Sequence, residues 1–241
     1  MTVGIIVQTR TGSSRLPAKV MMKADDKFLM IDYVINQLKH SKLHDKIVIA
    51  TTDLKQDDVI FDHVTSRNTP CFRGDEKNVL ERHYQCAKKY AFSTIVRIPS
   101  DKPLIDPTIV DSVIEKFQSN SYDYISNFSV DVNDDDGSIS SYPSGTEVEI
   151  FSFTALETAW KNATSEYDKE HVTPYIYNHL EKFKIFTLKS EKNMSQFRWA
   201  LDYENDLKLI RIIISRITKR PILMNDILEL FEREPDLTKI N

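Results

Sequence analysis

Val3-Gly4-Ile5-Ile6-Val7 is a near-continuous apolar run rich in β-branched residues, and it leads directly into a polar loop from Gln8 to Lys19. A strand with no polar alternation has no solvent face, which suits the interior of a parallel sheet covered on both sides. The loop that follows holds Arg10, Arg15 and Lys19 among small residues, Thr11, Gly12, Ser13 and Ser14. Open α/β sheets bind ligands at the carboxyl ends of their central strands, where small residues let backbone N–H groups approach phosphate oxygens. The three cations supply the positive charge that a polyphosphate needs.

The rest of the chain repeats the same alternation. Leu29 to Leu38 carries apolar residues at helical spacing, and Lys46 to Thr51 reads as a second buried strand. A helix over Asp57 to Val64, a short strand entered through Thr69-Pro70-Cys71-Phe72, and a helix over Asn78 to Tyr90 follow. Thr94 to Ile98 is the next strand, and it ends in Pro99-Ser100-Asp101-Lys102-Pro103. In a parallel sheet its carboxyl end lies beside the first loop, so Asp101 can meet phosphates held near Lys19. Pro107 suits the first turn of a helix capped by Asp106.

From Tyr122 the pattern changes, and residues 122 to about 190 read as an excursion from a doubly wound core. Tyr122 to Asn127 is strand-like, 131–141 is a polar loop, and Thr146 to Phe151 alternates as a half-exposed strand does. Thr154 to Asn162 and Lys169 to Leu180 read as helices, and Ile185 to Leu188 as a short strand. Helices over Asn205 to Ile217 and Asn225 to Phe231 close the chain, the first behind an acidic cluster fit to cap it. Across 241 residues no repeat or linker divides this pattern, so a single domain, 1–241, is expected.

Composition narrows the function. The formal charge of −4 argues against a nucleic-acid or anionic-membrane binder, so anion-binding charge has to be local. No apolar run approaches the roughly 18 residues of a membrane span, and no signal-peptide pattern opens the sequence, so a cytoplasmic protein is expected. Cys71 and Cys86 lack CxxC spacing and read as reduced core thiols.

Arg10, the run Ser13-Ser14-Arg15-Leu16-Pro17 and Lys19 resemble the amino-terminal signature of the sugar-acid cytidylyltransferases, the enzymes that make CMP-activated Kdo and sialic acids. Within that superfamily the likeness is to the branch related to spore-coat polysaccharide biosynthesis, and it covers most of the chain. The resemblance implies an α/β, three-layer Rossmann-like nucleotide-diphospho-sugar transferase fold with a mixed, mostly parallel sheet. It also implies transfer of CMP from CTP to a sugar acid or related acceptor with release of pyrophosphate, the alternative being activation of a phosphorylated small molecule, with Mg²⁺ as cofactor and a homodimer formed through the excursion, for which Trp160 and Tyr175 are candidate contacts that equally suit the core.

Nucleotide transfer needs cations on the triphosphate and carboxylates for Mg²⁺, which prefers oxygen ligands. Asp101 and Asp202 are the candidate metal ligands. They stand in Ser100-Asp101-Lys102-Pro103-Leu104-Ile105 and Asp202-Tyr203-Glu204-Asn205-Asp206, which match the family motifs except that Ser100 replaces a glycine and Tyr203 a threonine. Lys19, Arg15 and Asp101 are the catalytic candidates; Arg10, Thr11, Gly12, Ser13, Arg15, Lys19 and Arg73 are the nucleotide-binding ones. Arg73 and Arg82 stand close in sequence to Asp75, Glu76 and Glu81, which leaves surface ion pairing open for both. Tyr142-Pro143-Ser144-Gly145 and Glu170-His171-Val172-Thr173-Pro174 also resemble the branch, with Glu147, Glu149 and His171 as candidates for the acceptor.

Two other classes compete with this reading. A glycosyltransferase of related fold holds its metal at an Asp-x-Asp motif, and Asp134-Asp135-Asp136 has the letters but follows no long buried strand. A non-catalytic nucleotide sensor would share the loop and bind without turnover. The pair Asp101 and Asp202 favours the enzyme.

Overall fold

The structure is a computed structural model that describes residues 2–129 and 141–241, so Asp134, Asp135 and Asp136 lie outside the described residues. Strands β1 (Val3–Gln8), β2 (Lys46–Thr52), β3 (Cys71–Gly74), β4 (Thr94–Pro99), β5 (Tyr124–Ser126), β6 (Glu149–Ser152) and β7 (Ile185–Thr187) form one sheet in the order β3-β2-β1-β4-β6-β5-β7. The first four are parallel neighbours. β6 is antiparallel to both β4 and β5, and β7 is parallel to β5. The strands of residues 122–190 thus continue the same sheet beyond β4.

Why β1 reads as a solid apolar run is now visible. Ile5 and Val7 pack on one face with α1 (Met30–Leu38), α2 (Asp58–Ser66) and α4 (Pro107–Gln118). Ile6 packs on the other, with α3 (Val79–Lys89), α5 (Phe153–Asn162) and α7 (Pro174–Tyr177). Each face has its own helical layer, so neither side of the strand tolerates a polar residue. A third cluster places α8 (Glu204–Arg216) and α9 (Met224–Arg233) against Leu16, Met30, Leu104 and Trp199, beneath the first loop. No helix among the described residues is long and apolar enough to cross a membrane.

Local signals set the helix starts. Asn78 Oδ1 accepts from Glu81 N at 2.9 Å, and Asp106 Oδ1 accepts from Thr108 N at 2.7 Å ahead of Pro107. Asp206 Oδ2 accepts from the backbone of both Asp202 and Tyr203 at 2.8 Å, which opens α8 and fixes where Asp202 points.

Two expectations need correction. Thr146 to Phe151 is not half-exposed: Glu149, Ile150 and Phe151 are all buried, because β6 lies inside the sheet and Glu149 has an internal partner. The single helix expected over Lys169 to Leu180 is two short ones, α6 (Glu166–His171) and α7, separated where Val172 takes a φ of 73° before Pro174. Tyr175 is buried beside His179 and Phe183, and Trp160 stacks on Tyr84 with ring centroids 4.0 Å apart, so both are used within the chain. Cys71 and Cys86 are free, and burial pushes their thiols up to about 11 and about 12.

Candidate active site

The loop after β1 folds back on itself. Thr11 O accepts from Ser13 N at 2.8 Å and from Ala18 N at 3.0 Å, and Ala18 takes a left-handed φ of 51°. That conformation costs an L-residue about 1–2 kcal/mol. It starts the short 3-10 turn Lys19–Met21 and turns Lys19 inward. Asp57, fully buried at the start of α2, clamps the loop from beneath. Its Oδ1 accepts from Thr11 N at 2.7 Å and Thr11 Oγ1 at 2.6 Å, and its Oδ2 accepts from Thr52 Oγ1.

Lys19 meets both candidate metal ligands. Its Nζ donates to Leu201 O at 2.6 Å and Asp202 Oδ1 at 3.0 Å, and lies 3.5 Å from Asp101 Oδ2. Leu201 N donates to Asp101 O at 2.7 Å, so the end of β4 is stitched to the segment before α8. Arg15 Nη2 donates to Asp202 Oδ1 and Arg198 Nη2 to Asp202 Oδ2, each at 2.6 Å. Burial pushes the Asp202 carboxyl up, but hydrogen bonds from Lys19 and Arg198 and the charges of Lys19 and Arg15 outweigh it and hold it below its ordinary value. Asp101 Oδ1 is buried with no hydrogen-bond partner among the described residues.

Lys19, Arg15 and Asp101 border a cavity of about 360 Å³ over the carboxyl ends of β1 and β4, and Asp202 is joined to its wall through Lys19 and Arg15. Arg10, Gly12, Ser13, Arg15, Lys19, Asp101 and His171 all line the cavity. Arg10 pairs with Glu170 at 3.6 Å, and exposed His171 packs its ring 4.4 Å from that of Tyr167. Two lining arginines carry more than the sequence suggests. Arg82 is 2% exposed, donates from Nη1 to Asp75 O at 2.7 Å, and leaves Nε without a partner among the described residues. Burial, with the nearby charge of Arg10, pushes its guanidinium down to about 10. Arg97 donates from Nε to Gln8 Oε1 at 2.9 Å and from Nη1 to Glu149.

Five sequence candidates stand outside the cavity lining: Asp202, which meets it only through Lys19 and Arg15, and four that are used elsewhere. Thr11 shapes the loop through Asp57 instead of facing the cavity. Arg73 spends its guanidinium on Thr52 O, Leu54 O and Asp58 at 2.6–2.9 Å, clamping the segment after β2. Glu149 accepts from Arg97, from Tyr124 OH at 2.8 Å and from Thr173 Oγ1 at 2.6 Å, so it is a buried hub of the sheet. Glu147 accepts from Gly145 N at 2.9 Å and pairs with Lys102 at 3.2 Å. Gly145 itself has a φ of 109°, and a Cβ there would sit 2.9 Å from Ala200 N. What the glycine admits is the 199–200 backbone, and the contact sets the segment that carries Arg198 and Asp202.

Asp57, Arg97 and Arg198 are not singled out by the sequence motifs. A charged residue inside the apolar strand Thr94–Pro99 demands a buried partner, and that signal points to Arg97 and Glu149 together. No comparable local signal marks Asp57 or Arg198.

A cytidylyltransferase family model matches residues 4–229. The uncharacterized protein MJ1063 of Methanocaldococcus jannaschii is 35% identical, over 98% of this chain and 93% of its own length. The spore coat polysaccharide biosynthesis protein SpsF of Bacillus subtilis is 28% identical over 96% of this chain and 94% of its own. The 3-deoxy-manno-octulosonate cytidylyltransferase of Chlamydia trachomatis is 32% identical across a shorter stretch, 48% of this chain and 45% of its own. A solved cytidylyltransferase from Leptospira borgpetersenii shares the fold with a TM-score of 0.90 at 28% identity, covering 99% of this chain and 97% of that one. The family match runs from β1 into α9 and so spans every strand around the cavity; this chain belongs to the cytidylyltransferase family of nucleotidyltransferases.

Proposed function

We propose that this protein transfers CMP from CTP to a hydroxyl of a sugar acid of the Kdo or sialic-acid type, or a related acceptor, releasing pyrophosphate for surface polysaccharide synthesis. The observation that carries this reading is that Lys19, Arg15 and Asp101 line one cavity and that Lys19 and Arg15 both pair with Asp202. The 3-deoxy-manno-octulosonate relative supports the acceptor class by its name, and the SpsF relative supports polysaccharide synthesis by its own. The acceptor oxygen attacks the α-phosphorus, an oxygen–phosphorus bond forms as the bond from the α-phosphorus to the oxygen it shares with the β-phosphate breaks, pyrophosphate leaves with that oxygen, and the acceptor's proton passes to solvent. Lys19 and Arg15 hold the departing pyrophosphate through charge-assisted hydrogen bonds. Arg10 and the backbone of Gly12 and Ser13 embrace the nucleotide, and His171 faces the acceptor.

The donor set fits Mg²⁺, which takes one or two carboxylates and completes its shell with phosphate oxygens and water. Asp101 Oδ1 is a buried carboxylate oxygen that lacks a partner among the described residues, and Asp202 stands across Lys19 from it. Asp101 and Asp202 would hold the ion, which supplies charge neutralisation at the phosphates. A homodimer belongs to this reading through the resemblance, and light scattering at the monomer mass rejects it.

The test is pyrophosphate release with each of the four nucleoside triphosphates and Mg²⁺ against a panel of sugar acids and phosphorylated small molecules. Release with CTP and a sugar acid is expected, and absence of CTP binding overturns the reading. Asp101→Asn is expected to lower turnover by about 100-fold or more, the several kcal/mol that a metal contributes, and to lower it much more than it lowers CTP affinity. Unchanged turnover removes Asp101 from its role.

A further inference from the structure

In the free protein the space between Asp101 and Asp202 already holds a cation, and that cation is Lys19. Its Nζ sits 3.0 Å from Asp202 Oδ1 and 3.5 Å from Asp101 Oδ2, anchored by the 2.6 Å hydrogen bond to Leu201 O, and its side chain is only 11% exposed. The remaining capacity of Asp202 is taken by Arg15 on Oδ1 and Arg198 on Oδ2. Arg198 Nη2 also lies 3.6 Å from Asp206 Oδ2, so three cations face three carboxylates and the cluster is balanced. With Lys19 in place, a divalent cation entering between Asp101 and Asp202 would meet an ammonium instead of two open carboxylates.

The three cations are not equally held. Arg198 is tethered a second time, through Nη1 to Ser144 Oγ at 3.1 Å. Arg15 is about half exposed, packed 5.2 Å from the Tyr203 ring centre on the protein surface. Lys19 is a point charge on a flexible four-carbon stem, able to swing between acceptors with small cost in geometry. A triphosphate arriving at the cavity would offer Lys19 and Arg15 stronger acceptors than a shared carboxylate. Their departure would expose Asp101 Oδ2 and Asp202 Oδ1 and turn the sign of the cluster negative.

We propose that Lys19 is a resident counter-ion that closes the Asp101–Asp202 pair to divalent cations until nucleotide draws it away, so that nucleotide and metal bind with positive coupling. The inference rests on the reading that this carboxylate pair holds the metal of a CTP-dependent transferase. By linkage, the factor by which nucleotide tightens metal binding equals the factor by which metal tightens nucleotide binding.

The test uses Mn²⁺ alone as the probe, with free ion counted by electron paramagnetic resonance and folding checked by circular dichroism. Lys19→Met without nucleotide is expected to bind Mn²⁺ more tightly than the wild type by a factor in the range of about 5–150 that coupled sites span. Adding Asp202→Asn to that variant is expected to abolish the gain. Equal Mn²⁺ affinity in wild type and Lys19→Met, or a gain that survives Asp202→Asn, overturns the proposal. Should Lys19→Met not fold, Lys19→Gln keeps a donor for Leu201 O and is held to the same outcomes. The wild type provides a further test that needs no variant: Mn²⁺ bound as tightly without CTP as with it, after correction for binding by CTP itself, also overturns the proposal. Asp101→Asn with CTP present separates the two ideas. Retained Mn²⁺ binding there sinks the assignment of metal to this pair. Its loss upholds that assignment, so that an unchanged affinity in Lys19→Met then counts against Lys19 alone.

Discussion

Two arginine–carboxylate clusters touch the same cavity and are built on opposite plans. Around Asp202, Arg15, Lys19 and Arg198 crowd one carboxylate, Arg15 is half exposed, and Asp101 keeps an oxygen without a partner among the described residues. Around Glu149, a single arginine, Arg97, meets a single carboxylate in the interior of the sheet, and Gln8, Tyr124 and Thr173 fill the neutral positions around them. The first cluster is partly open and leaves one carboxylate oxygen unused. The second is closed and fully paired. A buried ion pair is tolerated only when charge and hydrogen bonds are both satisfied, so a closed, fully paired cluster reads as architecture, and an open one with an unpartnered carboxylate oxygen as a place that waits for a ligand.

Breaking the closed cluster is expected to have the largest effect on stability. Glu149→Gln leaves the Arg97 charge in the sheet without its counter-ion and is expected to cost about 3–5 kcal/mol in denaturant unfolding. A loss within experimental error would show that Glu149 is not the hub the comparison makes it. The next effect is at the clamp beneath the open cluster. Asp57→Ala strips the acceptor from Thr11 N, Thr11 Oγ1 and Thr52 Oγ1. It is expected to cost about 1–3 kcal/mol for the orphaned buried donors and to raise the KM for CTP more than it lowers kcat. A stability loss with KM unchanged would detach Asp57 from the loop's function.

The smallest effect is in the pH dependence. Lys19, Arg198 and Arg15 hold the Asp202 carboxyl below its ordinary value against its burial. The folded state therefore binds fewer protons than the unfolded one in that range. The stability this contributes is present above the unfolded carboxyl pKa of about 3.9, and is lost as pH falls through the lowered folded value. Asp202→Asn is expected to flatten this part of the acid limb in unfolding experiments carried out from neutral pH downwards. An acid limb identical to the wild type would mean that the cations are neutralised elsewhere.

The open cluster is more legible in the sequence than the closed one, and the reason is chemical. Arg10, Arg15, Lys19, Asp101 and Asp202 lie in loops at strand and helix ends, where a charged residue needs no packing explanation and stands out against apolar strands. Glu149 reads as part of a half-exposed strand because Thr146 to Phe151 alternates in polarity. Alternation reports exposure only when no buried partner exists, and Arg97 lies 52 residues away in sequence. Arg73 misleads for a related reason: its sequence neighbours are acidic, but its guanidinium turns to the carbonyls of Thr52 and Leu54 and to Asp58. The break at Val172 depends on a single φ, which periodicity does not register.

The sequence by itself determined the alternation of buried strands and amphipathic helices, and with it the parallel core that brings the ends of β1 and β4 together. Those are consequences of short-range periodicity, which each segment carries alone. Only the tertiary structure decided which charges neutralise one another. Lys19 finds Asp202 across 183 residues and Asp101 across 82, and whether a charge is free to meet a ligand depends on that partner and its burial.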